Sequence, residues 1–351
     1  MSRNINSCSD ESDCIIGMLL IPLLNSSCLP IPLMSHGPYR CQAEKKRRES
    51  KNQLISISAN LKHCMSEAAG ELPTIEFGQE NASIIYLIAG FPDSLTSSWE
   101  PLLPVLAKKY HLVCMSLPGF DKESQEPHRG VDFPEIIVRM RNTLQKYSNK
   151  KHECIIAHDW GAYTALQYER IYGDASKLIL MDVGVGLQKS IIQLLVILLY
   201  QWWYAFSYLV STAINYNLGN ALFFAFAVLK LQALVGPCPH DKIKRSKREI
   251  NVKMCYVYYY FWKNTFLFYV YKRYVFPGSK KGFVVFPGTP TCPILFMYGK
   301  KKRAYFHSNE FVNKLNARSD GSKALGVEDH GHWFHYDSPE PVLAEINQFL
   351  A

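Results

Sequence analysis

From residue 74 onward the chain alternates short apolar runs with longer segments of helical period, and this alternation constrains the fold more than any other feature. "TIEFG" (74–78), "SIIYLIAG" (83–90) and "HLVCMSLPGF" (111–120) read as strands, the second running into Gly90-Phe91-Pro92. "FPEIIVRMRNTLQKY" (133–147) has helical spacing, and the strand "ECIIAH", the helix "GAYTALQYERIYG" and the strand "KLILMDVG" follow it. After a long interruption, "CPILFMYG" is another strand and "PEPVLAEINQFL" a closing helix. The pattern predicts an α/β fold with a doubly wound, mostly parallel sheet. The interruption, 187–290, is rich in Tyr, Phe and Trp and helical in character. Its position predicts a helical cap over the carboxyl ends of the strands, where open α/β sheets bind ligands. The expected organisation is a core of 71–186 and 291–351, an apolar, aromatic-rich cap of 187–290, and an extension of 1–70.

Composition narrows the class. At 351 residues, 48% of them hydrophobic, the chain is long enough for one large domain with an insertion. Its ten cysteines are scattered without a CxxC pair, which argues against a disulfide framework and for a reducing, intracellular compartment. A formal charge of +9 suits anionic partners, membrane surfaces included. The short apolar run "IIGMLLIPLL" (15–24) is preceded by Asp10, Glu11 and Asp13 and followed by Lys45-Lys46-Arg47-Arg48. Those flanks do not suit a secretory signal, and the run is short for a span. Residues 1–70 are therefore expected to be poorly ordered or weakly anchoring.

The candidate chemistry begins at "AHDWG". Asp159 stands between a strand and a helix, with Ala157 two residues before it and Gly161 two after. A helix N-cap is one reading, since Asp fills that role often. A sharp turn that exposes its central side chain is the other, because such a turn needs small neighbours on either side. Two further pieces bear on the choice. Gly90-Phe91-Pro92 ends an earlier strand, where a backbone N–H can face the turn. His332 sits between Gly331 and Trp333 ahead of the last helix, although a core histidine is also a possible reading. Turn, glycine loop and late histidine come in the chain order of a nucleophile-elbow hydrolase. The cluster His330, His332 and His335 offers a His-x-His pair but lacks further ligands from another segment, so no metal is expected.

With "GFPDSLTSSW", "SLPGF", "AHDWGA" and "GHW" in place, the chain resembles the α/β-hydrolase-fold epoxide hydrolases and haloalkane dehalogenases over about 74–186 and 291–351. The resemblance implies that Asp159 attacks an sp³ carbon and that His332 then activates water to hydrolyse the resulting ester. The backbone N–H groups of Phe91 and Trp160 would hold the oxyanion of the second step. It also implies an acid for His332 in the loop after Tyr298-Gly299, but that loop reads "KKKRAYF". Asp182, at the end of the strand after the elbow helix, is the chosen acid; a turn or cap Asp is its other reading. Asp320, Glu328 and Asp329 are the fallbacks. The resemblance further implies two cap tyrosines that protonate an opening epoxide. Trp262 stands where one is expected, so Tyr258, Tyr259 and Tyr260 are candidates for it and Tyr204 or Tyr208 for the other. Phe91 after Gly90, in place of an amide-bearing residue, weakens the dehalogenase reading.

Residues 190–229 carry no charge. Length permits a membrane span, but one crossing would put Asp159 and His332 on opposite sides of the membrane. Two crossings, a shallow hairpin and a soluble apolar cap all remain open. A cap lying on the cytoplasmic face of a membrane is preferred, with Lys242, Lys244, Arg245, Lys247 and Arg248 nearby. The sequence therefore predicts an Asp-ester hydrolase acting on a lipophilic small molecule, an epoxide first. A dehalogenase or esterase of the same fold is the alternative within the class, and a non-catalytic, membrane-associated protein is the rival outside it. Neither a cofactor nor a nucleic-acid partner is expected.

Overall fold

The computed structural model describes residues 70–121, 129–147, 152–188, 190–228, 250–271 and 285–351. The extension expected over 1–70, Gly70 apart, and the basic residues of 242–248 lie outside them. Seven strands form one sheet: β1 (Thr74–Gly78), β2 (Ile84–Ile88), β3 (His111–Met115), β4 (His152–His158), β5 (Leu178–Met181), β6 (Ile294–Gly299) and β7 (Lys323–Val327). Their order is β1-β3-β2-β4-β5-β6-β7, with β1 antiparallel to β3 and every other pair parallel. The chain builds outward from β2 to β3, then crosses back to lay β4 on the other side of β2. Between β2 and β4 the winding reverses, and a crevice opens there at the carboxyl ends.

Period-two burial sorts the strand side chains between two cores. In β2, Ile84, Tyr86 and Ile88 face one side while Ile85 and Leu87 face the other. The first side is covered by α2 (Phe133–Gln145), α3 (Trp160–Tyr172) and α7 (Asn309–Asn316); the second by α1 (Leu103–Leu106) and α9 (Pro339–Leu350). The short α8 (Phe334–Asp337) precedes α9. Because both faces are covered, the central strands read as continuous apolar runs. β7, "KALGV", is an edge strand that is largely half-buried, and its Lys and Gly left it and α7 unread in the sequence.

Between β5 and β6 the chain inserts α4 (Ile191–Ala213), α5 (Tyr216–Val228), a 3-10 turn (Val252–Cys255) and α6 (Tyr256–Tyr271). The backbones of α4 and α5 approach closely at Gly219, where a Cβ would fall 2.4 Å from the Cβ of Ser211. Trp203 Nε1 donates to the Leu222 carbonyl at 2.9 Å across the same pair. This cap is clamped to the segment that enters α2. The Tyr208 and Tyr260 hydroxyls both donate to the Arg129 carbonyl. Asn264 Nδ2 donates to Asp132 Oδ1 at 2.7 Å, and Lys263 pairs with Asp132 Oδ2 at 3.2 Å. Asp132 is also the N-cap of α2.

Candidate active site

Four loops meet at the carboxyl ends of β2, β4, β5 and β6, and a fifth follows β7. Asp159 sits on the turn from β4 into α3 with φ +53° and ψ −125°, a conformation non-glycine residues rarely adopt. Its neighbours make that turn possible. A Cβ at Gly161 would stand 2.3 Å from the Ile88 carbonyl oxygen. A Cβ at Gly90 would stand 2.4 Å from Asp159 Oδ1, so only glycine lets the loop after β2 close on the elbow. There the Phe91 N–H donates to Asp159 Oδ1 at 2.7 Å. The Asp159 carboxylate is turned into the site, with Oδ1 on the Phe91 N–H and Oδ2 facing His332.

His332 follows β7 and faces two carboxylates. Its Nε2 is 3.3 Å from Asp159 Oδ2, and its Nδ1 hydrogen-bonds Asp182 Oδ2. Asp182 leaves β5 with φ +69° and is fully buried. The Gly299 N–H donates to its Oδ1 at 3.2 Å. The fallback acids lie elsewhere. Asp320 pairs with Arg318, Glu328 pairs with Lys300, and Asp329 occupies a left-handed turn position.

The lysine-rich loop differs from expectation. The sequence shows it only as a loop without an acid, but Lys302 turns inward and its Nζ lies 2.5 Å from Asp182 Oδ1. Both side chains are buried. The site is thus a line of alternating charge running Asp159, His332, Asp182, Lys302. Burial raises the Asp159 carboxyl, but the His332 hydrogen bond and charge, with the Trp160 N–H, hold it below its ordinary value. Burial disfavours the His332 cation, yet the Asp182 charge and the Asp159 hydrogen bond push it up to about 9. Burial also works against the Asp182 carboxylate, and the charges of Lys302 and His332 overcome it. Lys302 is lowered by burial, with Asp182 opposing. Behind this line, burial takes His158 down to about 3, and its neutral ring donates from Nε2 to the His332 carbonyl at 3.0 Å.

A cavity of about 270 Å³ opens over Asp159 between the cap and the elbow, lined by Trp160, Tyr200, Phe261, Trp262 and Phe306 among others. Of the five tyrosines selected from the sequence, Tyr258 approaches the site most directly. Its ring lies 5.1 Å from that of Trp160 and 5.2 Å from that of Phe91, and its hydroxyl is hydrogen-bonded by the Trp160 indole. Tyr204 is packed among Phe91, Phe223, Phe226 and Tyr258. Tyr208 and Tyr260 are turned away to the Arg129 carbonyl, and Tyr259 packs on both. None of the five lines the cavity over Asp159 itself, Tyr258 reaching it through the Trp160 ring. Tyr200, which the sequence reading did not single out, lines the cavity with Asp159, and its hydroxyl accepts from Gln201 Nε2 at 3.1 Å. No local motif marked Tyr200 among the chain's 21 tyrosines.

The histidine cluster disperses. The His330 ring bonds the Glu328 carbonyl, while His335 is buried against Trp99 and His158. Among the described residues no group of three His, Cys, Asp or Glu side chains is placed to hold a metal.

A parallel sheet wound in this order, an elbow after its central strand and an acid and a histidine on neighbouring loops define an α/β hydrolase. The chain belongs to the alpha/beta hydrolase family, whose model matches residues 85–345. Among solved structures it is similar to an epoxide hydrolase from Bacillus megaterium, with a TM-score of 0.55 and 15% identity over 80% of this chain and 96% of that one. It is also similar to a thermophilic esterase from Thermogutta terrifontis, with a TM-score of 0.54 and 16% identity over 80% and 92% of the two chains. Epoxide Hydrolase A from Mycobacterium thermoresistibile aligns with a TM-score of 0.53 and 16% identity over 79% and 93%. At such identities these likenesses concern the fold. No curated protein sequence matches the chain.

Proposed function

We propose that this protein hydrolyses a lipophilic epoxide through an ester formed on Asp159. One observation carries the reading: the elbow residue is a carboxylate, and it faces a histidine that is itself bound to a second carboxylate. A carboxylate is ionised at neutral pH and attacks carbon without a base. The C–O bond of the epoxide breaks as the Asp159 Oδ–C bond forms, and the alkoxide takes a proton from Tyr258 or Tyr200. Tyr258 suits this role because its hydroxyl accepts from Trp160 and keeps its own proton to give.

Alkylation then changes His332. While Asp159 is charged, two carboxylates favour the imidazolium. Once Asp159 is a neutral ester, only Asp182 remains, and Lys302 already offsets its charge. With one carboxylate in place of two, His332 loses its proton more readily and can return it to the tyrosinate, so Nε2 can then take a proton from water as that water attacks the ester carbon. The oxyanion that forms would be met by the Phe91 and Trp160 N–H groups, donors of a kind worth roughly 3–4 kcal/mol. On collapse the departing alkoxide takes the proton from His332 to give the diol, and the carboxyl proton left on Asp159 passes to His332, restoring both groups.

A carboxylate at the elbow is less suited to the acyl transfer of an esterase, which employs Ser there. Phe91 offers a dehalogenase no side-chain amide for halide. Against the non-catalytic reading stand the Asp182 carboxylate bound to His332 and the Tyr200 hydroxyl on the cavity. In the test, intact-mass spectrometry after incubation with a lipophilic epoxide should show a persistent adduct on His332→Gln and none on Asp159→Ala. An unmodified His332→Gln mass after single-turnover incubation rejects the Asp-ester reading.

A further inference from the structure

The cap helix α4 carries its largest apolar side chains on the face turned away from the protein. Its outward face carries Ile192, Leu195, Leu199, Trp202, Phe206 and Leu209, spaced three and four apart and 45–75% exposed, so they form one stripe. Its inward face mixes Val196, Ile197, Tyr200, Tyr208 and Val210 with the polar Gln201, Ser207 and Ser211, all buried. The two serines are satisfied locally: Ser207 Oγ donates to the Trp203 carbonyl at 2.8 Å and Ser211 Oγ to the Tyr208 carbonyl at 2.7 Å. A surface helix in water arranges its residues the other way round. Polar groups turned toward protein and large apolar groups turned outward are the pattern that hydrocarbon selects.

We infer that α4 lies on a membrane with this stripe immersed in one leaflet, and that the cavity over Asp159 takes its substrate from the lipid. Three observations point to lipid as the occupant. No charge interrupts 190–229, so the stripe itself carries no charged side chain with which to pair a protein partner. Leu187, Leu194 and Phe286 line the cavity and are themselves exposed, which sets the cavity mouth beside the stripe. A second protein copy seated there would cover that mouth, whereas a leaflet would feed it. The helix is 23 residues long, enough to span, but Val196, Ile197 and Val210 commit its other face to the protein. It therefore lies along the surface rather than crossing it. The supply of substrate rests on the proposed hydrolase activity; the attachment does not.

The test uses the full chain and phosphatidylcholine vesicles at high salt, which screens any electrostatic attachment. Bromine on the acyl chains quenches buried tryptophan, and the signal of Trp202 is isolated by subtracting that of Trp202→Tyr. Most of the Trp202 emission should be lost to bromolipid. Leu199→Glu with Phe206→Glu should reduce that quenching and weaken vesicle binding at least about tenfold. Both side chains are exposed and outside the cavity, so circular dichroism and the melting temperature should be unchanged. Protein that floats with vesicles while Trp202 stays unquenched overturns the proposal, since another segment then does the binding. So does protein that stays in solution. Light scattering that finds an oligomer without lipid, broken by the same two substitutions, assigns the face to a second copy and also overturns it. Quenching without epoxide turnover would leave the attachment standing and reject only the activity.

Discussion

Asp182 shows how far a local reading of sequence reaches. Its place at the end of β5 was legible, because "LILMDVG" sets an acid at the edge of the strand next to the elbow. The partner on its other oxygen was not, since nothing in "YGKKKRAYF" distinguishes Lys302 from Lys300, Lys301 or Arg303. Only the path of the loop after β6 turns one cation inward, and that path is a tertiary property. This geometry alters what substitution should do. Asp182→Asn removes the orienting acid and also strands a buried ammonium, a loss worth roughly 3–5 kcal/mol when one partner of such a pair is deleted. Thermal melts should therefore show Asp182→Asn well below the parent, with Asp182→Asn/Lys302→Met recovering much of the loss. Ester hydrolysis should stay slow by about four orders of magnitude in both, as a mis-set histidine tautomer requires. Equal melting of the single and double variants would mean that the Lys302 charge does not bear on Asp182. The elbow and its glycines were legible for the opposite reason. Gly90 and Gly161 answer to close backbone approaches that any chain making this turn must satisfy.

At the scale of elements, the strands and helices of the core follow from periodicity, because a strand covered on both faces must be apolar throughout. The edge strand β7 escaped for lack of that pressure. The cap was legible as an insertion, but its docking was not. Tyr208 and Tyr260 donate hydrogen bonds to the Arg129 carbonyl, a contact that depends on which face of each helix meets the core. Asp132 joins the two parts by capping α2 and holding Asn264 and Lys263 of α6. Asp132→Ala should lower unfolding free energy by about 1–2 kcal/mol. It should also speed proteolysis within the cap more than within the core. A uniform change in cleavage across both would assign Asp132 to helix capping alone.

The site's charges make the whole molecule sensitive to pH. His332 is pushed up to about 9, against an ordinary value of 6.5, so folding favours its proton. That contribution is fully present below about pH 6.5 and is lost as pH rises through 9. Its size is on the order of 3 kcal/mol at most. Asp159 and Asp182 are held low, so their share is present above the ordinary carboxylate range and is lost as pH falls below it. Urea unfolding should therefore give a free energy that declines from pH 6.5 to 9, and His332→Gln should flatten the decline. Lys302, held below its ordinary value, works in the other direction at higher pH, so the window closes near 9. A parent protein with no slope in this window would place the imidazolium elsewhere than between the two carboxylates.

The insertion of the cap between β5 and β6 also sets an order in time. These strands are neighbours, yet everything from 182 to 293 must be made before the second can pair with the first. Closing so long a loop is slow, and contacts of this kind are gained late. Asp182 leaves the ribosome with β5, whereas Gly299, Lys302 and His332 emerge only after the whole uncharged stretch. For that interval the growing chain displays its most apolar segment with five of the seven strands behind it. The nascent protein is thus most exposed to aggregation, and most open to capture by a lipid surface, before its reacting groups have met.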